Sequence, residues 1–485
     1  MASQKRQLRT LSVFTLLMIS GWIAACRDAE ERETQRPRIV LFVMVDALAA
    51  GHVSHLGYDR QTTPNLDALA EEGVSFRQAI TSATYTVASI PSIHTARLPD
   101  RHGLTWYRRR LPEEEVTLAE LMRDAGYQTV GFIGVNNGGP TYGNEQGFDR
   151  FEEVYLGRGA EGAEVFEFNG RVVHMPKANE FIPAVTETLD GLGADESLFL
   201  YLHFLEPHAP YDPPDSFKSR FVDARAPEPY QDGERERVRR DLGRGQLSPD
   251  LKSKTVRLYD SNIAWVDHNL GLIFDELRTR GLHEGALIVV TSDHGEAFWQ
   301  HEDITSHGRS LFEEEARVPL VMKLPMGRGP RGVLVEELSS NIDVLPTLGE
   351  LLELSMPDRE LDGVSLLQLL RGGESTFTRA DLLIRAREDA GLFGIRSAEE
   401  KAVVRLDPDT KEIISIELYD LSADPEERHD LASERPARAR ALAEEVLARL
   451  RRLDGAIHVP IEDPVSGAEL KLLEALGYTD VDQEE

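Results

Sequence analysis

Cysteine occurs once in 485 residues, at position 26. A single thiol makes no internal disulfide and no thiolate metal cluster, so a cysteine-stapled scaffold and a zinc-finger type of site are both excluded. Positive charge is also scarce: 54 Lys and Arg stand against 84 Asp and Glu, a net of -30. Nucleic-acid binding draws on cations that neutralise phosphate, so this balance opposes any general nucleic-acid role, and an anionic substrate has to be met by local groups. Long apolar runs are missing as well. The stretch from Leu11 to Ala25 falls short of the ~20 residues a membrane-spanning helix needs. No internal repeat is visible. What remains, 41% hydrophobic and 28% charged residues, is ordinary for a folded chain long enough for one large domain and an accessory one.

The apolar stretch follows Lys5, Arg6 and Arg9 and ends in Ile23-Ala24-Ala25-Cys26. A basic start, a short apolar run and small residues before a cut point describe a secretion signal. The ending resembles the lipobox of bacterial lipoproteins, whose cysteine becomes the lipidated first residue. Residues 1–26 are therefore expected to be a lipoprotein signal peptide. The protein is expected to be exported and held to the membrane by a lipid on Cys26, with Arg27 pointing to the outer membrane. Residues 27–36 are charged, without apolar period, and read as a linker.

From Pro37 the pattern is that of a folded domain. Arg38 to Asp46 is a continuous apolar run ending on a carboxylate, as expected of a parallel strand covered on both faces. Similar runs at Gln128 to Gly134, Ser197 to Phe204, Ala286 to Ser292 and Val318 to Leu324 are separated by helical stretches. Thr63-Pro64 opens a helix to Glu72, Thr117 and Glu120 form a capping-box pattern, and a long helix runs from Leu251 to Arg280. The alternation predicts an α/β fold. After Gly372 come short strand-like runs, Leu382 to Arg387, Phe393 to Ser397, Ala402 to Leu406 and Glu412 to Tyr419, then a helix from about Glu434 to Arg452. The expected layout is a catalytic domain over 37–371, an antiparallel sheet plus helix over 372–455, and a tail over 456–485 with a short helical pattern at Gly467 to Leu476.

Ligands of open parallel sheets collect at the carboxyl ends of strands. Polar residues stand just there at Asp46, Thr84 to Thr95, Glu206 to Tyr211 and Asp293-His294-Gly295-Glu296. Asp46, Asp293 and His294 offer two hard oxygens and an imidazole, a partial shell for a divalent cation.

The stretches Arg38 to Gly103, Pro207 to Pro214, Thr291 to Glu296 and His307-Gly308 with Phe312 to Pro319 resemble sulfatase-family motifs. So do Ile342 to Leu348, Leu361 to Leu366, and Leu418 to Leu421 followed by Asp424-Pro425. The resemblance runs from about Arg38 to Tyr478. It implies the alkaline phosphatase fold of that superfamily, a large mixed, mostly parallel sheet between helices with a small C-terminal antiparallel sheet and helix. It also implies a metal-dependent hydrolase of sulfate esters, arylsulfatase-like, acting on a small-molecule, glycan or lipid anionic ester.

Carried over by position, the metal ligands are Asp46, Thr86, Asp293 and His294. Thr86 is the nucleophile, since a hydroxyl beside a cation is acidified and aimed. His208 binds the ester's non-bridging oxygens and His307 binds oxygen or protonates the leaving group, with His301 and Glu296 as weaker candidates. A rival register makes Ser89 the nucleophile. The sequence departs from the family in carrying Thr86-Val87-Ala88-Ser89-Ile90 where formylglycine enzymes have Cys or Ser and an arginine, so formylglycine is not expected. Ala47 stands for a second Asp, and His294 for Asn. One fewer oxygen and one more nitrogen favour manganese, zinc or magnesium over calcium. An unmodified threonine also resembles the branch of phosphodiesterases and phosphotransferases, while Ala47, Ala49 and Gly51, where relatives carry polar groups, leave open a catalytically silent binding protein.

Overall fold

The computed structural model describes residues 36–157, 159, 165–168, 171–222, 248–301, 304–372, 376–453 and 459–460. The signal segment with Cys26, the linker up to residue 35 and the short helical pattern at Gly467 to Leu476 lie outside these residues.

Eight strands form the main sheet: β1 (Ile39–Val45), β2 (Val74–Phe76), β3 (Tyr127–Ile133), β4 (Arg150–Glu153), β5 (Ser197–Phe204), β6 (Leu287–Thr291), β7 (Leu320–Lys323) and β8 (Val333–Val335). Their spatial order is β8-β2-β7-β6-β1-β5-β3-β4. All run one way except β7, which is antiparallel to both neighbours. β1 is central, and every one of its residues is buried, as its unbroken apolar run requires. The shorter strands β2, β4 and β8 carry too little periodicity to be read from sequence.

Side chains alternate across β1. Ile39, Leu41, Val43 and Val45 face a core shared with α1 (Pro64–Glu72), α4 (Phe181–Gly191) and α5 (Pro249–Thr279). Val40, Phe42 and Met44 face a second core with α2 (Thr86–Thr95), α3 (Leu118–Asp124) and α6 (Val344–Leu351). The result is a sheet between two helical layers. Helix starts follow their local signals. Ser248 accepts a hydrogen bond from the Leu251 amide ahead of Pro249, and Thr117 and Glu120 form the reciprocal capping box. The open amides of α1 are met from a distance, by Asp267 of α5, which accepts from Asn65 N and Leu66 N at 3.0 and 2.8 Å.

Strands Leu382–Arg385, Leu392–Arg396, Glu400–Leu406 and Ile413–Asp420 form an antiparallel sheet in chain order. One face packs on α7 (Pro436–Leu453) through Ala402, Val404, Ala443 and Val446. The other, with Ile384, Val403 and Tyr419, packs on Ile80, Leu311 and Ala316. Beside that contact, fully buried Lys401 meets Glu313 at 3.0 Å, Glu427 at 2.7 Å and the Leu311 carbonyl at 2.7 Å. Arg396 adds a second cation on Glu313. Removing one partner of such a cluster strands buried carboxylates. Lys401→Met is therefore expected to lower the unfolding free energy by about 3–5 kcal/mol in urea titration; a loss below about 1 kcal/mol would show that the cluster carries no weight.

Candidate active site and metal centre

The register of β1 with its neighbours builds the site. Met44 pairs with His203 of β5 and with Thr291 of β6. Since Asp46 and Asp293 stand two residues beyond Met44 and Thr291, the period of two sends them to the same face as His203. Asp46, His203 and Asp293 are buried completely, and one ligand atom from each lies within 4.8 Å of the others. Two backbone amides, Ala47 and His294, donate to Asp293 Oδ1 at 3.1 and 2.9 Å. Ala47 reaches it in the left-handed region, at φ 57°. Burial opposes ionisation of Asp293, but the imidazoles of His294 and His203 and these amides outweigh it and hold its carboxyl below the usual range. Ser292 closes the base of the site, its hydroxyl accepting from Leu48 N and contacting the carbonyls of Val45 and His294.

His294 Nδ1 lies 2.8 Å from the Gly295 carbonyl. A carbonyl only accepts, so Nδ1 carries a proton and Nε2 is the nitrogen turned to the site. That nitrogen is 3.3 Å from Asp293 Oδ2, 3.7 Å from Asp46 Oδ1 and 3.0 Å from Thr86 Oγ1. Thr86 opens α2, where the helix end favours negative charge. Its rival Ser89 is turned away, donating to the Asp293 carbonyl at 2.6 Å. Ile90, at the place of the missing arginine, is buried in a separate apolar cluster.

His208 and His307 join this group. The His307 ring stacks on His294 with centroids 4.2 Å apart and meets His208 edge-on at 5.0 Å. His208 Nδ1 donates to the Ala209 carbonyl at 2.7 Å, and its loop is fastened by Glu206, which accepts from the Ala178 amide at 2.8 Å and pairs with Lys177. Burial pulls His208 down to about 4. His307 is also held well below its ordinary value, by burial and then by His294. Glu296 stands 3.3 Å from His307 Nδ1, and burial pushes its carboxyl up to about 7. His301 is elsewhere. It stacks on Phe312 and is held at both nitrogens, by Glu314 and by the Glu427 carbonyl. Ala49 gives its amide to Tyr259, while Gly51 is the exposed residue of a short turn whose flanking Ala50 and His52 are buried.

Two residues escaped sequence reasoning. His203 is the one polar residue late in an apolar strand, and its parity with Asp46 becomes visible only with the register. Asn137 follows β3 in a turn packed on α2, with both amide atoms buried and without hydrogen-bond partners.

The donor set suits a divalent cation. Asp293 Oδ2 and His203 Nε2 are buried without hydrogen-bond partners, a costly arrangement unless a ligand satisfies them.

Comparison with known proteins identifies relatives and structural neighbours of this chain. An ulvan-active sulfatase of Formosa agariphila is 24% identical over 77% of this chain and 74% of its own length. Human arylsulfatase A is 26% identical over 82% and 83% respectively. Among solved structures, a protein in complex with its substrate D-glucosamine-2-N,6-O-disulfate superposes with a TM-score of 0.69 at 20% identity, covering 89% of this chain and all of that one. A phosphonate monoester hydrolase of Agrobacterium radiobacter gives 0.67 at 23% identity, over 86% and 96%. A model for the C-terminal region of N-sulphoglucosamine sulphohydrolase matches residues 305–454. With the sulfatase model matching residues 38–354, the chain belongs to the sulfatase family.

Proposed function

We propose that this sulfatase-family hydrolase cleaves the sulfate ester of an anionic glycan, with Thr86 as the attacking group. The observation that carries the reading is the 3.0 Å contact of Thr86 Oγ1 with His294 Nε2, beside the buried carboxylates of Asp46 and Asp293. Asp46, Asp293 and His203 would hold a divalent cation, with His294 and Thr86 at its edge. When bound, the cation supplies positive charge that favours the alkoxide of Thr86 and offsets charge building on the ester oxygens. His294 Nε2 stands within hydrogen-bond distance of the threonine hydroxyl. His208 and His307 line the approach as ester-oxygen ligands, and the Glu296 carboxyl orients His307 through Nδ1 so that Nε2 is left to serve the leaving oxygen. Thr86 would form a covalent ester that water then cleaves.

The glycan class is supported by what similar proteins are described as acting on, ulvan in one case and a disulfated glucosamine in another. A second reading, phosphate-ester cleavage, is favoured by the unmodified threonine and by the absence of the motif arginine. A relative from Trinickia caryophylli described as a multifunctional alkaline phosphatase superfamily protein, 26% identical, supports it as well. The two part on substrate. Metal-loaded protein is expected to turn over 4-nitrophenyl sulfate faster than the matching phosphate monoester and phosphodiester, and Thr86→Ala to lose about 10²-fold or more in kcat. A phosphodiester preference lost in the variant would establish the second reading. Turnover that survives the variant would sink Thr86 and turn attention to Ser89.

Metal content is tested separately. Elemental analysis is expected to find manganese, zinc or magnesium in the wild type, with His203→Ala and Asp293→Asn depleted. Chelation should lower the melting midpoint of the wild type and leave that of the depleted variants unmoved. Stoichiometric calcium would overturn the assignment of the shell.

For the N-terminus we propose the exported, lipid-anchored state, most simply at the outer membrane, on the grounds of the Ile23 to Cys26 sequence. Labelled fatty acid is expected on the wild type and not on Cys26→Ser; equal labelling of both would refute the anchor.

A further inference from the structure

The run Glu313-Glu314-Glu315 places three carboxylates side by side in sequence, and each has different work. Glu313 meets Arg396 and Lys401, and Glu314 meets His301. Glu315 is fully buried and turns toward the loop that presents His307. Its Oε2 accepts the Gly308 amide at 2.8 Å and the Ser310 amide at 3.4 Å, and its Oε1 accepts the Ser310 hydroxyl. Its own carbonyl accepts the Gly295 amide at 2.8 Å, one residue after His294. Ser310 in turn accepts, through its carbonyl, the hydroxyl of Thr84 at 3.0 Å, two residues before Thr86. Two segments of the site thus meet Glu315 directly, and the threonine segment is joined to it through Ser310.

The loop needs such a clamp. Ser306 and Gly308 on either side of His307 have φ of 68° and 80°, left-handed conformations that the chain does not hold by itself at a serine. The clamped turn sets the 4.2 Å stack of His307 on His294.

We propose that Glu315 is a positioning residue for the reaction, fixing His307 against His294 and both against the threonine segment, without touching substrate. The assignment rests on the hydrolase reading of the site. Three preparations separate it from a general structural role: Glu315→Ala, the conservative Glu315→Gln, and Ser310→Ala, which takes away one strand of the clamp. A glutamine keeps an acceptor for the two amides and turns its NH2 to the serine oxygen. Misplacement by about 1 Å costs roughly 10²-fold in rate, so Glu315→Ala is expected to lose about that in kcat with KM and metal content close to the wild type, while its melting midpoint falls because three buried donors lose their acceptor. Glu315→Gln should recover most of it, and Ser310→Ala should fall by about fivefold to tenfold, the worth of one hydrogen bond.

Nitrogen-15 histidine spectra of the metal-loaded protein give a readout independent of turnover. The His307 resonances, assigned by loss in His307→Gln, are expected to shift in Glu315→Ala and to return in Glu315→Gln. Unmoved resonances or an undiminished kcat in Glu315→Ala would overturn the proposal, as would Glu315→Gln behaving like the alanine variant. Should Glu315→Ala fail to fold, Ser310→Ala decides, and wild-type values there refute the clamp. A wild type silent on every ester would defeat the hydrolase reading alone, leaving the spectra to judge Glu315.

Discussion

Two carboxylates stripped of water at the centre of the sheet are the constraint around which the molecule is arranged. Asp46 and Asp293 have no exposure and sit on adjacent parallel strands, where their mutual repulsion is undamped by solvent. The surroundings answer with backbone amides on Asp293 and with imidazoles from two directions, His203 on the far neighbour strand and His294 next in chain. A cation completes that account more naturally than any rearrangement of the protein. The flanking features then follow as supports: the left-handed Ala47 that aims an amide, the Ser292 staple beneath, and the helix end that delivers Thr86.

Much of this was readable beforehand because burial leaves a strong mark on sequence. β1 is an uninterrupted apolar run and β5 and β6 nearly so, and Asp46, Asp293 and His294 are the first ionisable residues after two of them, so strand ends and site coincide. Thr63 with Pro64 and Thr117 with Glu120 announced helix starts through chemistry confined to four residues, while the start of the long helix, expected at Leu251, lies at Pro249 behind the cap of Ser248. The strands β2, β4 and β8 were silent since three or four residues do not establish a period. His203 was silent for another reason. It sits inside its strand, and which strand lies beside which, and in what register, is decided by the whole sheet.

The choice between Thr86 and Ser89 shows how local spacing and tertiary contact divide the labour. In sequence both are small hydroxyls three residues apart on one helix, separable only by alignment to a family pattern. In space they serve different partners: one faces the imidazole of His294, the other is spent on the Asp293 carbonyl. His301 illustrates the converse. Its neighbourhood in sequence suggests chemistry, yet both ring nitrogens and one ring face are occupied by structural contacts.

The small antiparallel sheet looks, by its late place in the chain, like an appendage that could be shortened or exchanged. Its contacts say otherwise. Lys401 and Arg396 grip Glu313, His301 grips Glu314 and the Glu427 carbonyl, and the Arg385 carbonyl accepts the amide of Thr84. The segment that threads between the two histidine loops is therefore shared property of both sheets. A chain grafted or trimmed near residue 372 would keep every proposed metal ligand and still lose the wall against which they are aligned, which makes this enzyme a poor donor of a minimal catalytic core and a poor recipient of a foreign C-terminal half.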